Sequence, residues 1–164
     1  MLRRLVTLLV FMVALGAASA GAQTPQVRQY AAKFVCGKAL DQETALFLAA
    51  PGLYFTVINV HNPALTTPVR FRKKFTVGLP DEKAGKISEF IPASLRADET
   101  MQIDCGNIYK HMGVAPGTFL EGFVVLQIQP TRQELDVVSV YTAAPPGGGV
   151  STLHTERVAG RITQ

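Results

Sequence analysis

The stretch that decides the fold runs from residue 69 to residue 77 and is Val-Arg-Phe-Arg-Lys-Lys-Phe-Thr-Val. Its apolar side chains occupy one phase of a two-residue alternation and its cations occupy the other, apart from Lys73, which falls among the apolar positions. Such alternation indicates a β-strand with one buried face. An inward-phased lysine protects a sheet edge or marks a β-bulge. The stretch therefore predicts a half-buried strand with an outward row of positive charge.

Similar short apolar segments recur along the chain and are separated by Pro, Gly and Asn. They predict further strands over residues 30–36, 53–61, 87–91, 100–105, 119–129, 135–142 and 151–158. The segment 53–61 is apolar on both phases and predicts a central strand covered on both faces, whereas the polar segment 151–158 predicts an edge strand. Short helices are predicted at 41–48 and at 108–112. We therefore expect an all-β protein, an antiparallel, immunoglobulin-like β-sandwich of about seven to eight strands with one or two short helical turns.

The first 22 residues have the pattern of a secretory signal peptide. Arg3 and Arg4 precede an apolar run over residues 5–15, and small residues follow at 18–22. The run is shorter than the roughly 20 residues that span a bilayer, although an uncleaved anchor extending to Ala22 is the alternative. The predicted organisation is a signal peptide at 1–22, a flexible arm at 23–29 and a single domain at 30–164. The mature protein is expected in the periplasm or secreted, with no transmembrane segment after cleavage.

Cys36 and Cys105 are the two cysteines of the chain. Each shares the phase of the apolar residues in its predicted strand, so both side chains are expected to point inward. In an exported protein, two inward cysteines on different strands predict a disulfide bond. Two buried thiols without a bond are the alternative.

Composition restricts the classes of partner. The chain has 16 basic and 12 acidic residues, and removal of Arg3 and Arg4 leaves 14 basic residues, a formal charge of +2. Such a weak charge does not indicate a nucleic-acid partner.

The sequence offers no recognisable catalytic or metal-binding motif. His61, His111 and His154 lie on separate segments without metal-ligand spacing, and no Gly-x-Ser-x-Gly motif is present. Asp104 and Glu121 are predicted to be surface carboxylates, since nothing in the sequence brings them together. We therefore predict no catalytic residue, no metal and no cofactor, and a non-enzymatic protein is favoured.

The best candidate binding residues are Arg70, Arg72 and Lys74. Along a strand they project from one face about 7 Å apart. Such a row suits anionic lipid headgroups, an acidic polysaccharide or an acidic protein, and the alternative is a solvated outer face whose charges oppose aggregation.

Several segments together resemble a group of small exported bacterial proteins with no known activity. The resemblance is carried by residues 30–37, 58–63, 103–105, 121–125 and 135–142, and it extends over about Tyr30 to Val158. It implies an all-β exported domain with Cys36 paired to Cys105, and a structural turn at His61 and Asn62. It implies no ligand, cofactor or catalytic residue.

The sequence leads to three hypotheses of function. The favoured one is an exported, non-enzymatic module that binds a protein or a cell-envelope partner. The second is a small metal-dependent or hydrolytic periplasmic enzyme with a site assembled from His61, Asp104 and His111. The third is a structural subunit of a surface assembly, since the sequence leaves the oligomeric state open.

Overall fold

Ten antiparallel strands and one short helix make up the described part of the chain. The computed structural model describes residues 26–41, 49–129, 132–148 and 152–163. The strands are β1 Val27–Ala39, β2 Gly52–His61, β3 Val69–Leu79, β4 Lys83–Ile87, β5 Ile91–Leu95, β6 Thr100–Asp104, β7 Leu120–Ile128, β8 Asp136–Ala144, β9 Thr152–Arg157 and β10 Arg161–Thr163. The helix, α1, is Cys105–Met112. The predicted all-β class is therefore confirmed at the level of a mostly antiparallel β protein.

Backbone pairing joins all ten strands into one network. The order is β4-β3-β7-β1-β2-β8-β9, with β10 beside β1, β5 beside β3 and β6 beside β2. The long strand β1 is the link. Its residues from Arg28 to Cys36 pair with β7, whereas Gly37, Lys38 and Ala39 pair with the first residues of β2.

The change of partner along β1 depends on two residues. Gly37 has a φ of +102°, which a residue with a side chain rarely adopts, and an added Cβ would overlap the backbone of Thr118. Two residues before Gly37, Val35 is held by the buried hydroxyl of Thr56, which accepts a hydrogen bond from the Val35 amide and donates one to the Val35 carbonyl, each at 2.9 Å. The Thr56 side chain therefore satisfies the backbone of β1 next to its point of crossing.

The core forms where the inward phases of the strands meet. It contains Phe34 of β1, Ile58 and Val60 of β2, Phe71 and Phe75 of β3, Ile103 of β6, Val124, Leu126 and Ile128 of β7, and Val137 of β8. Helix α1 adds Ile108, Tyr109 and Met112 to the same cluster. The alternation predicted for β1, β3 and β7 is thus the pattern that fills the core.

Helix α1 is defined by its ends. The Asp104 carboxylate accepts a hydrogen bond from the Asn107 amide at 2.8 Å, and the Asn107 side chain accepts one from the Asp104 amide at 3.1 Å. At the other end, Gly113 adopts a φ of +68° and its amide donates to the Tyr109 carbonyl. The predicted turn at 108–112 therefore belongs to a helix that begins three residues earlier.

Several details of the strand prediction are wrong. The described ranges contain ten strands where about seven to eight were expected. The predicted strand over 87–91 does not exist as one unit, because residues 88–90 separate β4 from β5. Pro92 lies within β5, and β10 was not predicted.

Other expectations differ in their limits. Residues 27–29, assigned to the flexible arm, are the first part of β1 and pair with both β7 and β10. Strand β2 is central, but its faces differ, since Thr56, Ile58 and Val60 are buried while Phe55 is 53% exposed. The predicted edge position of the last polar segment is correct for β9, which pairs with β8. The predicted signal peptide and most of the predicted helix at 41–48 lie outside the described residues.

Candidate binding surfaces

The predicted row of cations lies on the outward face of β3. Phe71 and Phe75 point into the core, so Arg70, Arg72 and Lys74 project from the opposite face. Arg70 and Arg72 are exposed and Lys74 is half-buried. The structure therefore brings the three predicted binding residues to one surface.

Phe90 orders two of these cations. The Arg72 guanidinium lies 4.2 Å from the centre of the Phe90 ring, and the Lys74 ammonium lies 4.8 Å from it. Each distance is within the range of a cation–π contact, which holds a cation in place without neutralising its charge. Arg72 Nε also donates to Gln127 Oε1 at 3.0 Å. The side chains that carry the row are thus positioned before any ligand arrives.

The registers of the neighbouring strands extend this charged surface. Arg72 is opposite Gln127 of β7, Gln127 is opposite Gln29 of β1, and Gln29 is opposite Arg161 of β10. Four residues further along β3, Thr76 is opposite Phe123, which is opposite Lys33. We name this surface the cationic face, and we define its cations as Lys33, Arg70, Arg72, Lys74 and Arg161.

One carboxylate lies among these outward strand positions. Glu121 of β7 accepts a hydrogen bond from Lys33 Nζ at 2.7 Å, and the two side chains are each 38% exposed. The other four cations of the face have no acidic neighbour at the outward positions of β1, β3, β7 and β10. The outward positions of these strands therefore carry a local excess of positive charge, with five cations and one carboxylate.

A cavity of about 560 Å³ adjoins the cationic face. Ala31, Phe123 and Val125 contribute apolar surface to it, and the charged residues Glu156, Arg157 and Arg161 line it as well. The Phe123 ring is 42% exposed, and Lys33 Nζ lies 5.7 Å from its centre. Apolar and cationic groups are thus adjacent on this side of the protein.

Lys73 has neither of the roles proposed from its phase. Strand β3 is paired along both edges, with β7 on one side and β5 opposite Lys73 on the other, so Lys73 does not guard an open edge. The irregularity in β3 lies between Thr76 and Gly78. Burial lowers the pKa of the Lys73 ammonium below its usual value of 10.5. Burying the charged form of Lys73 therefore costs free energy of folding.

His111 is close enough to Lys73 to be affected by its charge. The His111 imidazole stacks on the Phe75 ring, with centroids 5.1 Å apart. Burial is the largest cause that lowers the pKa of the His111 imidazole, and the positive charges of Lys73 and Lys110 lower this pKa further. A neutral ring stacked against a core aromatic residue is a packing element.

The disulfide bond between Cys36 and Cys105 is present, as predicted. It joins β1 to the first residue of α1, and the Thr56 amide lies 3.2 Å from the Cys105 sulfur. The bond closes a loop of 69 residues in sequence separation and lies beside the point where β1 changes partner. No cysteine is free, so an internal disulfide fits a protein that folds in an oxidising compartment.

Next to the disulfide is a largely apolar cavity of about 420 Å³. Phe55, Val57, Cys105 and Tyr109 line it, together with Lys38. It lies away from the cationic face, on the side formed by β2 and α1.

The residues of the hypothetical enzyme site are not brought together. His61 Nε2 is 3.1 Å from Asp98 Oδ1, at the end of β2 that pairs with Thr100. Asp104 caps α1 four residue pairs further along the same ladder, and His111 stacks on Phe75. Within the described ranges, no group of three or more His, Cys, Asp or Glu side chains is arranged to hold a metal ion. The described structure therefore does not assemble His61, Asp104 and His111 into one site.

Asn62, next to His61, has a structural role. Its side chain is buried, its Nδ2 donates to the carbonyls of Thr67 and Arg96 at 2.9 Å each, and its Oδ1 accepts from the Ala64 amide at 3.2 Å. These bonds fix the connection between β2 and β3 against the segment that follows β5. Asn62 therefore belongs to a structural connection, whereas His61, placed in the same turn by the resemblance, is the last residue of β2.

Sequence reasoning missed parts of the cationic face. Lys33 had an available signal, because it lies on the outward phase of its predicted strand. No sequence signal indicated Phe90 or Arg161. Phe90 reaches the face through the path of residues 88–90 between β4 and β5, and Arg161 reaches it through strand β10, which was not predicted.

Comparison with known proteins does not assign the chain to a family. No protein-family model, curated protein or solved structure matches the chain. In the part of the chain that the structure describes, no helix has the length and hydrophobicity needed to cross a membrane.

Proposed function

We propose that the protein is an exported, non-enzymatic binding module that attaches to an anionic lipid surface of the cell envelope through its cationic face. The two groups of strands joined by β1 are proposed to pack as an immunoglobulin-like sandwich. In that arrangement the outward sides of β1, β3, β7 and β10 form one exposed face.

The observation that carries the proposal is the ordered excess of cations on this face. Five cationic groups stand against one carboxylate at the outward positions of its strands. A cation near a membrane that contains anionic lipids contributes about 1 kcal/mol to attachment. Arg72 and Lys74 are held in place by Phe90, so less conformational entropy is lost when they meet a ligand.

Exposed apolar groups favour a lipid surface over a soluble acidic chain. Phe123 is 42% exposed, and Ile87, which pairs with Thr76 at the border of the face, is 61% exposed. Apolar side chains beside cations are typical of proteins that lie at the boundary between headgroups and acyl chains. An acidic polysaccharide would use the charges and leave these side chains in water.

The experiment measures binding of the mature, disulfide-closed protein to phosphatidylglycerol vesicles and to phosphatidylcholine vesicles. The variant R70Q/R72Q/K74Q is compared with K38Q/R96Q/K110Q, which removes the same charge from exposed positions outside the face. At about 1 kcal/mol per cation, the face variant is expected to bind the anionic vesicles about 100-fold more weakly than the wild type.

The control variant should lose much less affinity. Equal losses in both variants would mean that net charge alone is responsible, and the proposal would be wrong. Binding of an acidic polysaccharide in the absence of vesicle binding would also contradict it.

A further inference from the structure

Strand β9 ends the order of strands and has an open edge. It pairs with β8 over residues 152–157, and no other strand in the described ranges pairs with it. All six of its residues are exposed. An open edge presents unpaired backbone donors and acceptors to any strand that can reach it.

The register identifies the residues whose backbone groups face the open edge. The Val158 amide donates to the Val137 carbonyl at 2.8 Å, and these two residues continue the ladder in which Arg157 is opposite Val138. Hydrogen-bonded and non-hydrogen-bonded pairs alternate in an antiparallel ladder. The even-numbered residues of β9 therefore bond to β8, and Leu153, Thr155 and Arg157 direct their amide and carbonyl groups to the open edge.

We propose that β9 pairs in antiparallel fashion with β9 of a second copy of this chain, centred on Thr155. In this register Thr155 is opposite its own counterpart, and Leu153 is opposite Arg157 of the second copy on each side. These are the residues whose backbone groups are directed outward, so each of the three pairs exchanges two hydrogen bonds.

The side chains on one face of β9 fit the same register. His154 lies opposite Glu156 of the second copy, twice, which sets a basic ring against a carboxylate. Tyr141 holds both groups, since its ring stacks with His154 at 5.9 Å and its hydroxyl donates to Glu156 at 2.9 Å. A register centred on His154 would instead place two imidazoles opposite each other. Within each chain, Tyr141 therefore already holds His154 and Glu156 in the positions from which they would face their partners in the second copy.

The test measures molar mass by size-exclusion chromatography with light scattering over a range of protein concentrations. The wild type is expected to reach twice the mass of the single chain as concentration rises. Thr155→Pro removes one outward amide and leaves the bonds to β8 intact, so it is expected to stay at the mass of one chain. Thr155→Val keeps the amide and is expected to behave as the wild type. Circular dichroism and urea unfolding show whether each variant is folded.

Crosslinking gives a second test that does not depend on the proline variant folding. Thr155→Cys places two thiols opposite each other across the proposed axis and should form a crosslinked dimer under mild oxidation. Leu153→Cys is the matched control, because its counterpart lies four residues away along the strand. A wild type that stays monomeric, a folded Thr155→Pro variant that still dimerises, or crosslinking at residue 153 in place of residue 155 would each overturn the proposal.

Discussion

Reduction of the Cys36–Cys105 disulfide should lower the free energy of unfolding by about 4 kcal/mol. The two cysteines are 69 residues apart, and closing a loop of that length removes roughly this much conformational freedom from the unfolded chain. Cys36 is fully buried and Cys105 is 8% exposed, so the variant C36A/C105A exchanges small side chains in packed surroundings. Its loss of stability should combine the freer unfolded chain with the removal of two sulfur atoms from the packed interior.

The assay is urea unfolding of the mature protein with and without reductant. With an m-value of about 2 kcal/mol/M, typical of small proteins, the midpoint should fall by about 2 M urea. The reductant should leave the midpoint of C36A/C105A unchanged. A shift of less than about 0.5 M in the wild type would refute the reasoning, because the disulfide would then contribute little to the stability of the fold.

Two further changes test separate parts of the structure. Asn62→Ala should lower the free energy of unfolding by about 2–3 kcal/mol, because it removes a buried side chain and leaves the Ala64 amide and the carbonyls of Thr67 and Arg96 without their partner. The control, Asn107→Ala, removes one half of an exposed capping box and should lower the free energy of unfolding by about 1 kcal/mol. If urea unfolding gave equal losses for the two variants, burial of Asn62 would not be the decisive factor. Lys73→Met should raise stability at neutral pH, because the folded-state pKa of Lys73 is lowered and folding therefore disfavours its proton. This gain should be complete below the folded pKa and disappear as the pH rises to the unfolded value of 10.5, so a gain independent of pH would contradict the electrostatic interpretation.

The sequence was most informative where one face of a strand is buried. In β3 and β7 the alternation of apolar and polar residues follows directly from burial of Phe71, Phe75, Val124 and Leu126. The same logic placed Cys36 and Cys105 on inward phases. The outward row of Arg70, Arg72 and Lys74 is the complement of that pattern.

Alternation could not predict what depends on contacts between distant segments. The strand predicted over 87–91 stops before Pro92, but Pro92 lies within β5, where its position opposite Arg72 is compatible with the pairing. Asp104 was interpreted as a surface carboxylate, and its use as a helix cap follows from the position of Asn107. The partners of Phe90 and the end of β1 at Ala39 are set by tertiary packing, which a local pattern does not contain.

The inward phase of Lys73 shows the limit of local rules in another way. Phase correctly predicted that its side chain points inward, yet both explanations assumed that an inward lysine serves a sheet edge or bulge. Instead, β3 is paired on both sides at this position, and the charge of Lys73 lowers the pKa of the nearby His111 imidazole.

The most direct test of the central claim is the dependence of phosphatidylglycerol-vesicle binding on salt concentration. If the cationic face carries the attachment, the affinity of the wild type should fall steeply between low and high salt, because ions screen exposed charges within about 10 Å at 0.1 M. The affinity of R70Q/R72Q/K74Q should change much less. Wild-type binding that is unaffected by salt, or that has the same salt dependence as the face variant, would contradict the account.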